Sequence, residues 1–191
     1  GHEYIRFYMN HGQIQSPDAY TKLLLHCDGK DASVVFGDSG VTGHTVEANG
    51  NVKISTDHYY FGNASGYFDG VGDFLHVPDH TDFDFSGAGI FTVDAWILPM
   101  AVNQTRTIYF QDGGANTDYI SLHLTAGVAP YYNGTLTFKI VAGGVTTVLL
   151  EATRTTVTNN LWHHVAVAES GNNYYLFLDG YLEDTEVDTD R

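Results

Sequence analysis

Short runs of Thr, Val, Ile, Tyr and Phe, each cut off by Gly, Asn or Asp, recur along almost the whole chain. That punctuation limits the fold more than any other feature. The 21 glycines interrupt most windows in which a helix would need apolar residues at i, i+3, i+4 and i+7 over three turns. β-branched and aromatic runs between turn residues are instead the pattern of short antiparallel strands. Strands are expected near 22–27, 33–36, 45–54, 65–69, 73–77, 90–98, 105–111, 118–124, 135–141, 145–151, 161–168, 174–179 and 181–187. In the strongest, Ile90 to Leu98, Asp94 is the one charged interruption, and Pro99 ends it because proline cannot donate to a ladder. Asp179-Gly180 supplies the positive φ angles of a two-residue type I′ hairpin, and Gly143-Gly144 is expected to close a second. With no alternation of strand and helix, the expected class is all-β: a two-sheet antiparallel sandwich. Residues 1–20 are read as an N-terminal arm or linker and 21–191 as one sandwich domain; Ile5 to Met9 could add a strand.

Charge removes several functions. Eight Lys and Arg stand against 23 Asp and Glu, a formal charge of −15, which repels a nucleic-acid backbone and an anionic membrane surface alike. No apolar run approaches the ~20 residues that span a bilayer, so no membrane insertion is expected. The single Cys27 cannot form an internal disulfide, and no cationic neighbour is in sight to activate it. It is expected to be a small core residue on a strand.

The run Tyr20-Thr21-Lys22-Leu23-Leu24-Leu25-His26-Cys27-Asp28-Gly29 resembles the opening strand of laminin G-like domains, in the bacterial and phage branch of the concanavalin A-like lectin/glucanase superfamily. Phe36 to Gly40 with Gly43-His44 resembles the family's D-S-S-G-x-x-H loop. Phe61 to Gly70 and Gly72 to Pro78 are similar to its next two strands, and Phe91 to Pro99 to its F-T-[IV]-[DE]-x-W-[IV]-x-P strand. Trp162 to Val167 and Leu176 to Gly180 resemble W-[YH]-H-V-A-V and L-[FY]-[VL]-[DN]-G. The landmarks run in family order over roughly residues 20–183, and the resemblance implies a jelly-roll of two curved sheets. It also places Trp96 and Trp162 in the packing. The family's closing I-x-I-G and G-x-I-D-E-[VF]-R-[IV] strands do not occur before Arg191, so the sandwich is expected to lack its last one or two strands. The Tyr4–Tyr8 segment, a strand from a neighbouring subunit or a longer parent polypeptide could replace them. A homo-oligomer or strand exchange is therefore among the expected partnerships.

The resemblance also implies Ca²⁺ at the rim of the sandwich, bound through carboxylates and loop carbonyls as a hard cation requires. Asp38 lies in the matching Asp-Ser-Gly loop, Asp28 closes the first strand, and Asp69 and Asp73 flank Gly70–Gly72. The alternative is that these aspartates only form Asx-turns. For carbohydrate, Tyr131 and Tyr132 in the Pro130–Gly134 loop, Tyr119 and Tyr109 on strands, and Asn116 and Asp118 nearby are the expected contacts; cross-strand packing is the alternative for the tyrosines.

Enzyme chemistry is not expected. Retaining glucanases of this superfamily carry E-[IL]-D-x-x-E or E-[IL]-D-x-E on a central strand, with two carboxylates on one face. The nearest approach, Glu186-Val187-Asp188-Thr189-Asp190, has Asp in the acid/base place and follows the last hairpin; Glu151 and Glu169 have no carboxylate partner at suitable spacing. Among the ten histidines, His163 and His164 alternate to opposite faces, and His76 and His80 are separated by Val-Pro-Asp in a turn, so neither pair reads as a metal site. The sequons at Asn63, Asn103 and Asn133 are read as incidental. The expected function is a non-catalytic, lectin-like, calcium-dependent domain, extracellular, on a cell surface or on a virion, that contacts a glycan or cell-surface polysaccharide. The alternative is a structural or decoration module of a phage particle or surface filament working through protein–protein contacts.

Overall fold

The computed structural model describes residues 2–5, 17–85, 90–114, 117–131 and 133–188. The chain divides into two compact units, Gly1–Gly87 and Ala88–Arg191.

In the first unit, β1 is His2–Ile5, and residues 6–16 lie outside the described residues. β2 (Glu47–Asn49) pairs antiparallel with β5 (Phe74–His76), and β3 (Lys53–Ser55) with β4 (Ser65–Tyr67). The strand expected over 45–54 is thus two short ones. They are split at Gly50, whose φ of +77° is left-handed and whose Cβ position is filled by the Asp73 carboxylate. A small core of Phe36, Val52, Ile54 and Ala64 gathers Cys27, Val46, Ala48 and Leu75 against it.

The strands expected at 22–27 and 33–36 do not form ladders; an isolated bridge joins Leu25 to Asp38, and single backbone hydrogen bonds run from Ser39 to Leu24 (2.9 Å) and from Ile54 to Ser33 (2.8 Å). The reason is local. Asp38 takes the Leu24 N–H with its side chain (2.8 Å), and Cys27 turns left-handed at φ 53°, which breaks an extended run. Cys27 therefore packs as a core residue, but from a turn, and burial pushes its thiol up to about 11.

The second unit is a two-sheet antiparallel sandwich. One sheet holds β6 (Ile90–Ile97), β11 (His163–Ser170), β12 (Asn173–Leu178) and β13 (Tyr181–Val187) in that order. The other runs β10 (Val145–Glu151), β9 (Thr135–Ala142), β8 (Tyr119–Thr125) and β7 (Arg106–Asp112). Both expected hairpins form. Asp179 and Gly180 take φ of 52° and 80°, and Gly143 and Gly144 take 57° and 77°.

Period-two alternation sends Phe91, Val93, Val165, Val167, Tyr174, Leu176 and Leu178 inward from the first sheet. Leu122, Leu124, Leu136, Phe138, Val148 and Leu150 meet them from the second. Tyr174 sits between the layers, its ring 6.0 Å from Phe138 and 6.4 Å from Phe91. Burying side chains of this size contributes about 1.5–3 kcal/mol each before entropy is counted. Trp96 and Trp162 are partly buried, and Trp96 packs 5.4 Å from the His164 ring.

Candidate functional site

Alternation leaves one face of the β10-β9-β8-β7 sheet turned away from the sandwich core, and its residues fall into rows that the pairing register defines. Asp112 lies opposite Tyr119, and Tyr119 opposite Val141. The next row is Phe110, Ser121, Lys139 and Leu149; the one after is Thr107, His123, Thr137 and Glu151. Two β-bulges set this phase. One interrupts β7 between Thr107 and Tyr109, the other β10 between Thr146 and Val148. Each inserts an extra residue and re-aims those beyond it.

Aromatic surface is concentrated at one corner of the face. Phe110 is 54% exposed, and its ring lies 5.5 Å from that of Tyr119 at an interplanar angle of 32°. Lys139 Nζ hangs over the Tyr119 ring at 5.6 Å. Ser121 Oγ and His123 Nδ1 are 3.2 Å apart, and Thr125 and Thr137 join hydroxyls at 2.9 Å. Burial first, and then the Lys139 charge, lower the His123 pKa, while Glu151 opposes them. His123 is thus held toward the neutral imidazole, able to donate at one nitrogen and accept at the other. Asp118 precedes the face and caps the neighbouring β9–β10 turn, accepting the Gly143 N–H at 2.5 Å.

The expected carbohydrate contacts separate. Tyr119 and Asp118 meet at the start of β8. Tyr131, 76% exposed, sits in the loop beyond the other end of that strand, where its carbonyl accepts from Asn159 (2.7 Å). Seven residues of strand lie between, roughly 20 Å at about 3.3 Å per residue. Tyr132 and Asn116 lie outside the described residues. Tyr109 faces inward opposite Leu122; burial pushes its phenol pKa up, and its hydroxyl donates to Gln111 Oε1 at 2.8 Å. The exposed aromatic of β7 is its neighbour Phe110, on the opposite side of the strand.

The aspartates expected at a Ca²⁺ site are not gathered into one group. Asp38 accepts backbone N–H groups from Leu24, Gly40 and His44 at 2.7–2.8 Å. Asp69 accepts from Val71 N and Asn51 Nδ2, and Asp73 from Asn51 N and Asp69 N. Those hydrogen bonds draw the Asp69 pKa below its ordinary value, the Asn51 side chain contributing most. Asp28 lies against Gly62, whose φ of +64° leaves space where a Cβ would come 2.6 Å from Asp28 Oδ1. Among the described residues, the one group of three or more His, Cys, Asp or Glu side chains arranged as ion ligands is His44, His80 and Asp82, which the sequence did not single out. Its only local signal is the His80-Thr81-Asp82 spacing.

His163 and His164 have separate surroundings. His163 Nδ1 meets Asp179 at 2.8 Å and His164 Nε2 meets Asp94 at 3.4 Å. Glu186 accepts the Leu149 N–H at 2.6 Å, while Asp190 lies outside the described residues.

Residues 69–191, more than half the chain, match the model of a laminin G family described as concanavalin A-like lectin/glucanases superfamily. The chain belongs to this superfamily. No curated protein and no solved structure matches it. Membership is compatible with lectin-like binding, and a superfamily that includes both lectins and glucanases leaves activity to be argued from the site. Among the described residues no helix is long and apolar enough to cross a membrane.

Proposed function

We propose that the outer face of the β10-β9-β8-β7 sheet binds carbohydrate without cleaving it. The observation that carries this is the Phe110–Tyr119 pair, an exposed and a half-buried aromatic ring that adjoin at one corner of the sheet face, beside the half-buried Lys139 and the exposed Asp112. A sugar ring presents an apolar C–H face and a rim of hydroxyls. The first suits an aromatic plane, and the second suits a few convergent donors and acceptors.

Two carboxylates lie on the face, Asp112 and Glu151, on opposite edge strands and two rows apart. Four residues along the strand and three strand spacings across it put their backbones about 19 Å apart. Retaining and inverting glycosidases need roughly 5–10 Å. The pair therefore supports recognition and not hydrolysis. A polysaccharide in the extracellular medium, on a cell surface or on a virion is the proposed setting.

Glycan-array binding of the chain, compared with Phe110→Ala and Tyr119→Ala, tests the reading. Binding that both variants reduce at least tenfold while melting as the parent supports it. No binding to any glycan, or binding indifferent to both variants, refutes it. Release of reducing sugar from a β-glucan by the parent chain refutes the non-catalytic half.

A further inference from the structure

In the first unit the loop that follows Asp38 returns His44 to the turn at residues 80–83, bringing together groups 38 residues apart in sequence. The His44 N–H donates to Asp38 Oδ2 at 2.7 Å, which fixes the backbone, and the ring is buried, 4.8 Å from both the Phe83 and His80 rings. His80 caps the 3-10 turn Thr81–Phe83 by accepting the Asp82 N–H on Nδ1 at 3.1 Å. That bond leaves Nδ1 with its lone pair and not a proton. Asp82 Oδ2 lies 3.1 Å from His44 Nε2 and 3.4 Å from His80 Nδ1, and accepts the Thr42 hydroxyl at 2.6 Å. Its other oxygen meets Lys22 Nζ at 3.3 Å.

We propose that His44, His80 and Asp82 form a binding site for a divalent transition metal ion, with Zn²⁺ the first choice. One ligand atom from each residue lies within 4.8 Å of the other two. Bonds of about 2.0–2.1 Å in a tetrahedron separate neighbouring ligands by about 3.3 Å. The His44–Asp82 and His80–Asp82 separations bracket that value, and the wider His44–His80 spacing, within 4.8 Å, closes when the half-exposed His80 ring turns toward the ion. Two imidazoles and one carboxylate are the donor set of a borderline ion, not of Ca²⁺, which takes six to eight oxygens.

Lys22 on Oδ1 and Thr42 on Oδ2 itself hold the carboxylate in place, as partners of ligating carboxylates do. The ion replaces the Asp82 N–H bond at His80 Nδ1. His80, 45% exposed, opens the site to solvent and leaves a fourth position for water. Bound there, the ion ties the 38–44 loop to the 80–83 turn.

Isothermal titration of the full, EDTA-stripped and desalted chain with ZnCl₂ tests the site, with Co²⁺ as an optical probe of tetrahedral geometry. His80→Asn removes a ligand while an Asn side chain can still cap the turn, so this variant keeps its fold. His76→Asn is the control, because His76 pairs with Glu47 on the exposed β2–β5 ribbon, away from the three ligands. One Zn²⁺ per chain, weakened at least about tenfold by His80→Asn and unchanged by His76→Asn, is the expected result. No uptake of Zn²⁺, equal affinity in His80→Asn, or equal loss in both variants overturns the proposal. The glycan-binding reading stands or falls separately, since Phe110 and Tyr119 lie in the second unit.

Discussion

Glu183 offers the most direct test of how the sandwich is closed. In β13 the register steps from Leu176–Asp184 to Phe177–Leu182, so Glu183 is the extra residue of a bulge. It is only 5% exposed. Its carboxylate accepts the Arg154 N–H at 2.9 Å, the Thr155 N–H at 3.3 Å and the Thr155 hydroxyl. Replacing it with Ala strips three donors of their acceptor. An orphaned donor costs about 1–3 kcal/mol when buried. Arg154 and Thr155 are exposed enough to recover some water, so the lower end applies, and about 3 kcal/mol in total is expected.

Burial raises the Glu183 pKa, but the Thr155 hydroxyl, the two amides and the Arg154 charge together outweigh it and leave the value below the ordinary 4.5. The unfolded state therefore binds the proton more readily than the folded one. The contribution is complete above pH 4.5 and is lost as pH falls through the depressed folded value. Urea denaturation followed by tryptophan fluorescence reports on this unit, since Trp96 and Trp162 both belong to it. The gap between the parent chain and Glu183→Ala should be about 3 kcal/mol at pH 7 and should shrink below pH 4.5. A gap under about 0.5 kcal/mol at pH 7, or one that keeps its size at pH 3, refutes the reasoning.

Phe138→Ala, in the centre of the sandwich beneath Tyr174, should cost about 3–5 kcal/mol in the same urea assay. Gly180→Val should destabilise the β12–β13 hairpin, because φ of 80° is strained for a β-branched side chain; Gly180→Asn, measured beside it, should cost less. Cys27 should react with a disulfide reagent at pH 8 on the order of a hundredfold slower than a free thiol, and unfolding in urea should abolish the difference. Millimolar Ca²⁺ should leave the melting temperature measured in EDTA nearly unchanged, since amide N–H groups occupy the carboxylates of Asp38, Asp69 and Asp73.

What could be read from the sequence was what short-range chemistry decides. Asp179-Gly180 and Gly143-Gly144 specify their turns whatever surrounds them, and Ile90 to Leu98 carries enough β-branched and aromatic residues to be a strand in any register. The face that Phe110 shares with Tyr119 depends on a different kind of information. An uninterrupted alternation puts Phe110 with Ile108 and turns Thr107 and Tyr109 to the other side. The bulge between Thr107 and Tyr109 brings Thr107 to the Phe110 face and leaves Tyr109 on the other, and nothing in Arg106 to Asp112 announces a bulge. The failed strands at 22–27 and 33–36 have the same origin. Leu23, Leu24 and Leu25 are apolar and buried, as a strand would have them, yet a carboxylate 14 residues later takes the amide that a neighbouring strand should hold. His44 joins His80 and Asp82 only through tertiary structure.

Those details point to a use for the acidic excess other than solubility. A chain rich in left-handed glycines and short strands leaves many amides without a ladder partner, and each needs an acceptor. Here side-chain carboxylates serve repeatedly. Asp38 takes three amides, Asp112 takes Gly114, Asp118 takes Gly143, and Asp179 takes His164. At the β10 edge, Glu186 and Asp184 on β13 take the N–H groups of Leu149 and Glu151, so this outer row does not offer free donors to another strand. A carboxylate is an acceptor only, which suits it to this task better than an amide or hydroxyl that also needs an acceptor of its own. With few cations available, most of these groups are held by amides and not by salt bridges. Their contribution therefore depends on geometry more than on ionic strength.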